Sequence, residues 1–93
     1  MMEVKYRTTF NIAWQKEPTQ DFVFIKDYVS EEFVILEDIS KDIWMGLIHG
    51  LSTHAICKQI ESEYSGTNFE AITQDVDEFI SMCEANGWIE SCV

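Results

Sequence analysis

Phe33-Val-Ile-Leu-Glu-Asp-Ile-Ser-Lys-Asp-Ile-Trp-Met-Gly-Leu-Ile48 holds the change of period that decides the fold. Its first four residues, Phe33 to Leu36, form a short run rich in aromatic and β-branched side chains, the length and chemistry of a strand. Past Leu36 the apolar residues recur as Ile43, Trp44, Leu47 and Ile48, which is one face of a helix. Ser40 is placed to cap that helix, and Gly50 to end it in a left-handed conformation.

Upstream of this switch the chain reads as strands. Phe10, Ile12 and Trp14 alternate within Thr8 to Gln15, a period of two that suits a half-buried strand. Pro18, the only proline, interrupts at Glu17 to Gln20, where its fixed φ suits a turn. Phe22 to Ile25 is the second strand. The polar stretch Lys26 to Glu32 closes a hairpin onto the third, Phe33 to Leu36.

Downstream the chain reads as helices. Ser52 caps a second helix with Ile56, Ile60 and Tyr64 on one side, and Gly66 closes it. The longest periodic stretch, about Asn68 to Asn86, carries Phe69, Ile72, Val76, Phe79, Ile80 and Cys83 on one stripe, with Glu70, Gln74, Asp77, Glu78 and Glu84 mostly off it. Asn86-Gly87 ends this third helix, and Trp88-Ile89 returns to the core. Strands followed by helices predict an α+β fold, with an N-terminal three-stranded antiparallel sheet and then three helices.

The chain has 93 residues, the length of one domain, 1–93, with little left for a second core. It carries 17 acidic and 6 basic residues, a formal net charge of -11. Polyanions are poor partners for such a surface, so neither nucleic acid nor an anionic membrane is expected. A small sheet with three helices is also the architecture of a winged-helix DNA-binding regulator. However, the second and third helices together offer one base, Lys58, against seven acids, and this alternative is disfavoured on charge.

Cys57, Cys83 and Cys92 cannot all pair and their spacing is no disulfide framework, so a reducing, cytoplasmic setting is expected. The longest apolar stretch, Ile43 to Ile48, is too short to span a bilayer. His49, His54 and Cys57 lack the spacing of a zinc site, and no metal or cofactor is expected. Cys83 lies on an apolar stripe with no histidine brought to it, and Gly46, Gly50, Gly66 and Gly87 form no phosphate loop, so neither a cysteine nucleophile nor nucleotide chemistry is expected; a carboxylate pair among the 17 acids stays open, with solvated helix faces the commoner reading. A binding module remains. Phe33 to Leu36, at a sheet edge, offers backbone donors and acceptors to an extended peptide, unless a loop or the third helix covers it.

Three groups of residues together resemble a known family. The first is Leu36 with the Ile43-Trp44 pair, Leu47-Ile48 and Gly50. The second is Ser52-Thr53 with Ile56, Ile60 and Glu63-Tyr64. The third is Asp75-Val76, Phe79-Ile80 and Gly87-Trp88-Ile89-Glu90. In this order and spacing, over about Thr8 to Glu90, they resemble the PqqD-like family. Its members are peptide-recognition elements of pathways that make ribosomally synthesised, post-translationally modified peptides.

The resemblance implies a winged-helix-like fold and a non-catalytic protein that captures the leader of a precursor peptide and presents it to a separate maturation enzyme. That enzyme is either a leader protease of a lasso peptide pathway or a radical-SAM enzyme. The leader is expected to add as an antiparallel strand to Glu32, Phe33, Val34, Ile35 and Leu36 and to lie against the third helix. On that helix the groove-facing flank is expected at Asp75, Phe79, Met82 and Asn86. That choice follows Met82, an apolar residue just off the stripe, for which core filling is the competing reading. Asp75 or Glu78 is expected to meet a basic residue of the leader.

Overall fold

The computed structural model describes residues 5–64, 66 and 68–92. Along the chain run β1 (Lys5–Thr8), β2 (Ile12–Lys16), β3 (Phe22–Asp27), β4 (Glu32–Glu37), α1 (Asp38–Ile48), α2 (Thr53–Glu63), α3 (Phe69–Ala85) and β5 (Ile89–Cys92). An antiparallel sheet of order β2-β3-β4 precedes three helices, and β1 pairs with β5 in a separate two-stranded ribbon. The α+β architecture is the expected one, with two corrections to its strands.

The first concerns the stretch Thr8 to Gln15, which is two strands rather than one. It breaks at a turn because the side chains of Thr9 and Asn11 both donate to the carbonyl of Gly87. Phe10, at the tip of that turn, is 104% exposed and takes no part in the core. The second concerns Trp88-Ile89, where the chain forms a strand: Ile89 to Cys92 pair with Thr8 to Lys5. Glu3, among the charges of the N-terminus, lies outside the described residues.

Ser40 does not cap α1. The helix starts three residues earlier than such a cap would place it, directly off β4, with Glu37 in the cap position and no side-chain cap bond. Asp38 makes the corner at φ 54°, a left-handed conformation that aspartate tolerates better than most residues. Its carboxylate also sits in the first turn, where the helix dipole favours negative charge. The other two helices start as expected. Ser52 Oγ accepts from the Ala55 N–H at 3.2 Å, and Asn68 Oδ1 accepts from the Glu70 N–H at 2.7 Å.

The helices close over one face of the sheet. Val23, Ile25 and Leu36 from the sheet, Ile43, Trp44 and Leu47 from α1, Ile56 and Ile60 from α2, and Ile72, Val76, Ile80 and Cys83 from α3 are all buried together. Trp44 sits at the centre, edge-on to Trp14 at 6.3 Å and to Trp88 at 6.5 Å between ring centroids. Its indole N–H has no partner among the described residues; the area buried by so large a ring offsets that cost. Helices α1 and α2 pack unusually close at Gly46, where an added Cβ would lie 2.7 Å from Ile56 Cγ1. A glycine is therefore required there by space and not by backbone conformation.

Candidate peptide-binding groove

β4 is an edge strand, and no other strand of the described residues pairs along its far side. The phase of its hydrogen bonds follows from the ladder. The Tyr28 N–H donates to Asn11 C=O at 2.8 Å, and the Glu17 N–H to Phe22 C=O at 3.1 Å. Even-numbered residues of β3 therefore bond to β2, and odd-numbered Val23, Ile25 and Asp27 bond to their β4 partners Leu36, Val34 and Glu32. The backbone N–H and C=O groups of Phe33 and Ile35 are left facing the open edge.

Side chains alternate across the same strand. Leu36 is in the core and Val34 packs against it, while Phe33 and Ile35 stand on the opposite face at 62% and 55% exposure. On the core side, a groove of about 300 Å3 separates β4 from the C-terminal half of α3. Glu32, Val34, Met82 and Asn86 line it, joined by Asp27, Ser30 and Trp88. Met82 presents an apolar wall at 38% exposure, and the Asn86 amide donates to its sulfur at 3.0 Å. Phe79, also on α3, is packed into the core, and Asp75 is exposed and outside the groove lining.

One end of the groove is polar and rigid. Asp27, at the end of β3, accepts from the Trp88 indole N–H at 2.8 Å and from the backbone N–H groups of Val29 at 2.9 Å and Ser30 at 3.1 Å. The Trp88 bond first, and then the Ser30 N–H, hold its carboxyl below the usual aspartate range. This network ties the β3-β4 hairpin to the segment that follows α3, and so sets the spacing of the two groove walls. Asp27, Ser30 and Trp88 were missing from the expected site. The signal was present: an aspartate two and three residues before Val29 and Ser30 is the pattern of an Asx turn. The tryptophan partner is 61 residues away and could not be paired with it from sequence.

Among the described residues, no three His, Cys, Asp or Glu side chains are placed to hold a metal ion, and no helix is long and apolar enough to cross a membrane. Burial pushes the Cys83 thiol up to about 12 and also raises that of Cys57, which leaves both as poor nucleophiles.

Comparison with known proteins gives this geometry a context. The family model described as coenzyme PQQ synthesis protein D (PqqD) matches residues 23–89, from β3 to the start of β5. Two solved structures share the fold with TM-scores of 0.79. One is TbiB1 in complex with the TbiA(beta) leader peptide, at 18% identity over 90% of this chain and 94% of that one. The other is a lasso peptide synthetase B1 complexed with the leader peptide, at 20% identity over 92% and 98%. No curated protein matches the chain.

Proposed function

The chain belongs to the PqqD family, and on that premise we propose that it is a non-catalytic, single-domain leader-peptide-binding protein of a ribosomal peptide pathway. The observation that carries this reading is the open edge of β4 facing α3 across a groove. An extended peptide completes the ladder through the free N–H and C=O groups of Phe33 and Ile35, antiparallel to β4. Its groove-side residues lie on Val34 and Met82, and its ends are positioned by Glu32 and Asn86. Holding the precursor in this way raises its effective concentration at a separate maturation enzyme in the cytoplasm. The lasso peptide synthetase B1 complex, which shares the fold, favours a lasso pathway, with its leader protease, over a radical-SAM one.

The expected groove flank divides in this reading. Met82 and Asn86 contact the peptide; Phe79 supports the groove from the core; Asp75 and Glu78 act on basic leader residues only at longer range. An amide NMR titration with the leader of the precursor encoded beside the gene tests the proposal. Saturable shifts concentrated on 32–36 and on Met82 and Asn86 are expected. Absence of shifts at saturating leader would overturn it.

A further inference from the structure

The outer face of the sheet, away from the helices, is apolar and uncovered among the described residues. Phe33 and Ile35 stand exposed along its β4 edge, beside Phe24 and Lys26 of the central strand. The Phe24 ring lies 5.0 Å from that of Phe33, and Lys26 Nζ lies 4.3 Å over the Phe33 ring while donating to the Glu31 carbonyl. This apolar surface adjoins the open edge of β4, and the geometry limits what can cover it.

A second copy of the chain fits poorly. Three strands at ~4.8 Å spacing and five or six residues long offer a face on the order of 300 Å2, well short of the ~800 Å2 per partner of a stable pair. Two copies would also bring together chains that each carry a net charge of -11. A single added strand fits well. Phe33 and Ile35 are the residues whose backbone faces the open edge, so each would form a hydrogen-bonded pair with a residue of that strand. Partners in such a pair have Cα atoms ~5.5 Å apart and side chains on the same face of the sheet.

Resting on the strand-addition reading above, we propose that the peptide is read on both faces at once. The outer face selects large apolar side chains at the two peptide positions opposite Ile35 and Phe33. The residue between them enters the groove beside Val34 and Met82, and the one after them meets Glu32. In an antiparallel strand the specificity, from N- to C-terminus, is apolar outward, apolar inward, apolar outward, then basic or polar inward. The outer pair extends the cross-strand cluster of Phe24, Phe33 and Ile35 by one strand.

The test is fluorescence anisotropy with the fluorescein-labelled leader of the adjacent precursor, using wild-type protein, Phe33→Ser, Ile35→Ser and the double variant. Both side chains are exposed, and a native amide spectrum establishes that each variant folds. The double variant is expected to bind at least tenfold more weakly. A leader with serine at the two outward positions is expected to show the same loss on wild-type protein and little further loss on the double variant. Intermolecular NOEs from the Phe33 ring to an apolar leader side chain are expected in the wild-type complex.

Affinities within twofold of wild type for the folded double variant, or no such NOEs, overturn the outer-face contact while strand addition stands. So does concentration-dependent dimerisation that Phe33→Ser abolishes. A wild-type protein that does not bind the leader at all overturns both readings.

Discussion

β4 and α1 follow one another without a loop, yet the two are put to opposite uses. In α1 the large apolar side chains serve the core: Ile43, Trp44 and Leu47 are buried, Ile39, Met45 and Ile48 pack half-buried against them, and Gly46 lets α2 approach to contact distance. β4 commits only one of its two faces and one of its two edges. Leu36 and Val34 join the core, whereas Phe33 and Ile35 leave both their side chains and their backbone groups outside it. If the peptide adds at β4 as proposed, stability and recognition are separable here, although they are neighbours in sequence. Substitutions in α1 should change folding, and substitutions at alternate positions of β4 should change binding.

The largest effect that would break this contrast is at Trp44. Trp44→Ala empties the centre of the tryptophan cluster and is expected to cost roughly 3–5 kcal/mol in a urea titration, a large part of the stability of so small a domain. A mild loss of stability together with lost peptide binding would reverse the assignment of α1.

Proline separates the two edges of β4. Ile35→Pro removes an N–H that faces the open edge, a position where edge strands tolerate proline. It is expected to keep the fold and weaken leader binding by about 10- to 100-fold, through one lost bond and the clash of the ring with the added strand. Val34→Pro removes a bond to β3 and is expected to unfold the hairpin, read by loss of the native amide spectrum. Equal behaviour of the two variants would contradict the hydrogen-bond phase. At Gly46, alanine is expected to cost ~1–3 kcal/mol by overpacking against Ile56 with peptide affinity unchanged.

The Asp27 network gives a pH dependence. A carboxyl held below its ordinary value contributes stability above the unfolded value near ~3.9 and loses it as pH falls through the folded value. Wild type is therefore expected to exceed Asp27→Asn in stability at pH 7, with the gap narrowing below about pH 4. A gap constant with pH would mean that the carboxylate charge is not what Trp88 and the hairpin amides hold. The smallest expected effect is chemical. Cys92 is exposed and Cys57 and Cys83 are buried, so one thiol is expected to react rapidly with a disulfide reagent and two only on unfolding.

The sequence was most legible where structure is local. The stripe Ile72, Val76, Phe79, Ile80 and Cys83 is buried as its period requires, and Ser52 caps the helix it precedes. It was least legible where distant segments decide. The alternation Phe10, Ile12, Trp14 looks continuous, but the carbonyl of Gly87 breaks it at Thr9 and Asn11. The β1-β5 ribbon joins the two ends of the described chain, and four residues at each end carry no local sign of it. Ser40 looked like a cap because serine usually is one; the corner at Asp38 starts the helix first.

At the groove, Met82 and Asn86 were visible as residues just off the α3 stripe, and the β4 edge as a strand at the end of a sheet. Which β4 residues face outward was not visible, because that parity is set by the loop geometry at Tyr28 and Glu17. The Asp27–Trp88 bond was equally hidden.

The central claim, that a peptide completes the sheet at β4, is most directly tested by amide hydrogen exchange at single residues with and without the leader. In the free protein the amides of Val34 and Leu36, bonded to β3, are expected to be protected and those of Phe33 and Ile35 to exchange rapidly. On binding, Phe33 and Ile35 are expected to slow by at least tenfold. Saturating leader that leaves Phe33 and Ile35 exchanging at their free rates would contradict strand addition.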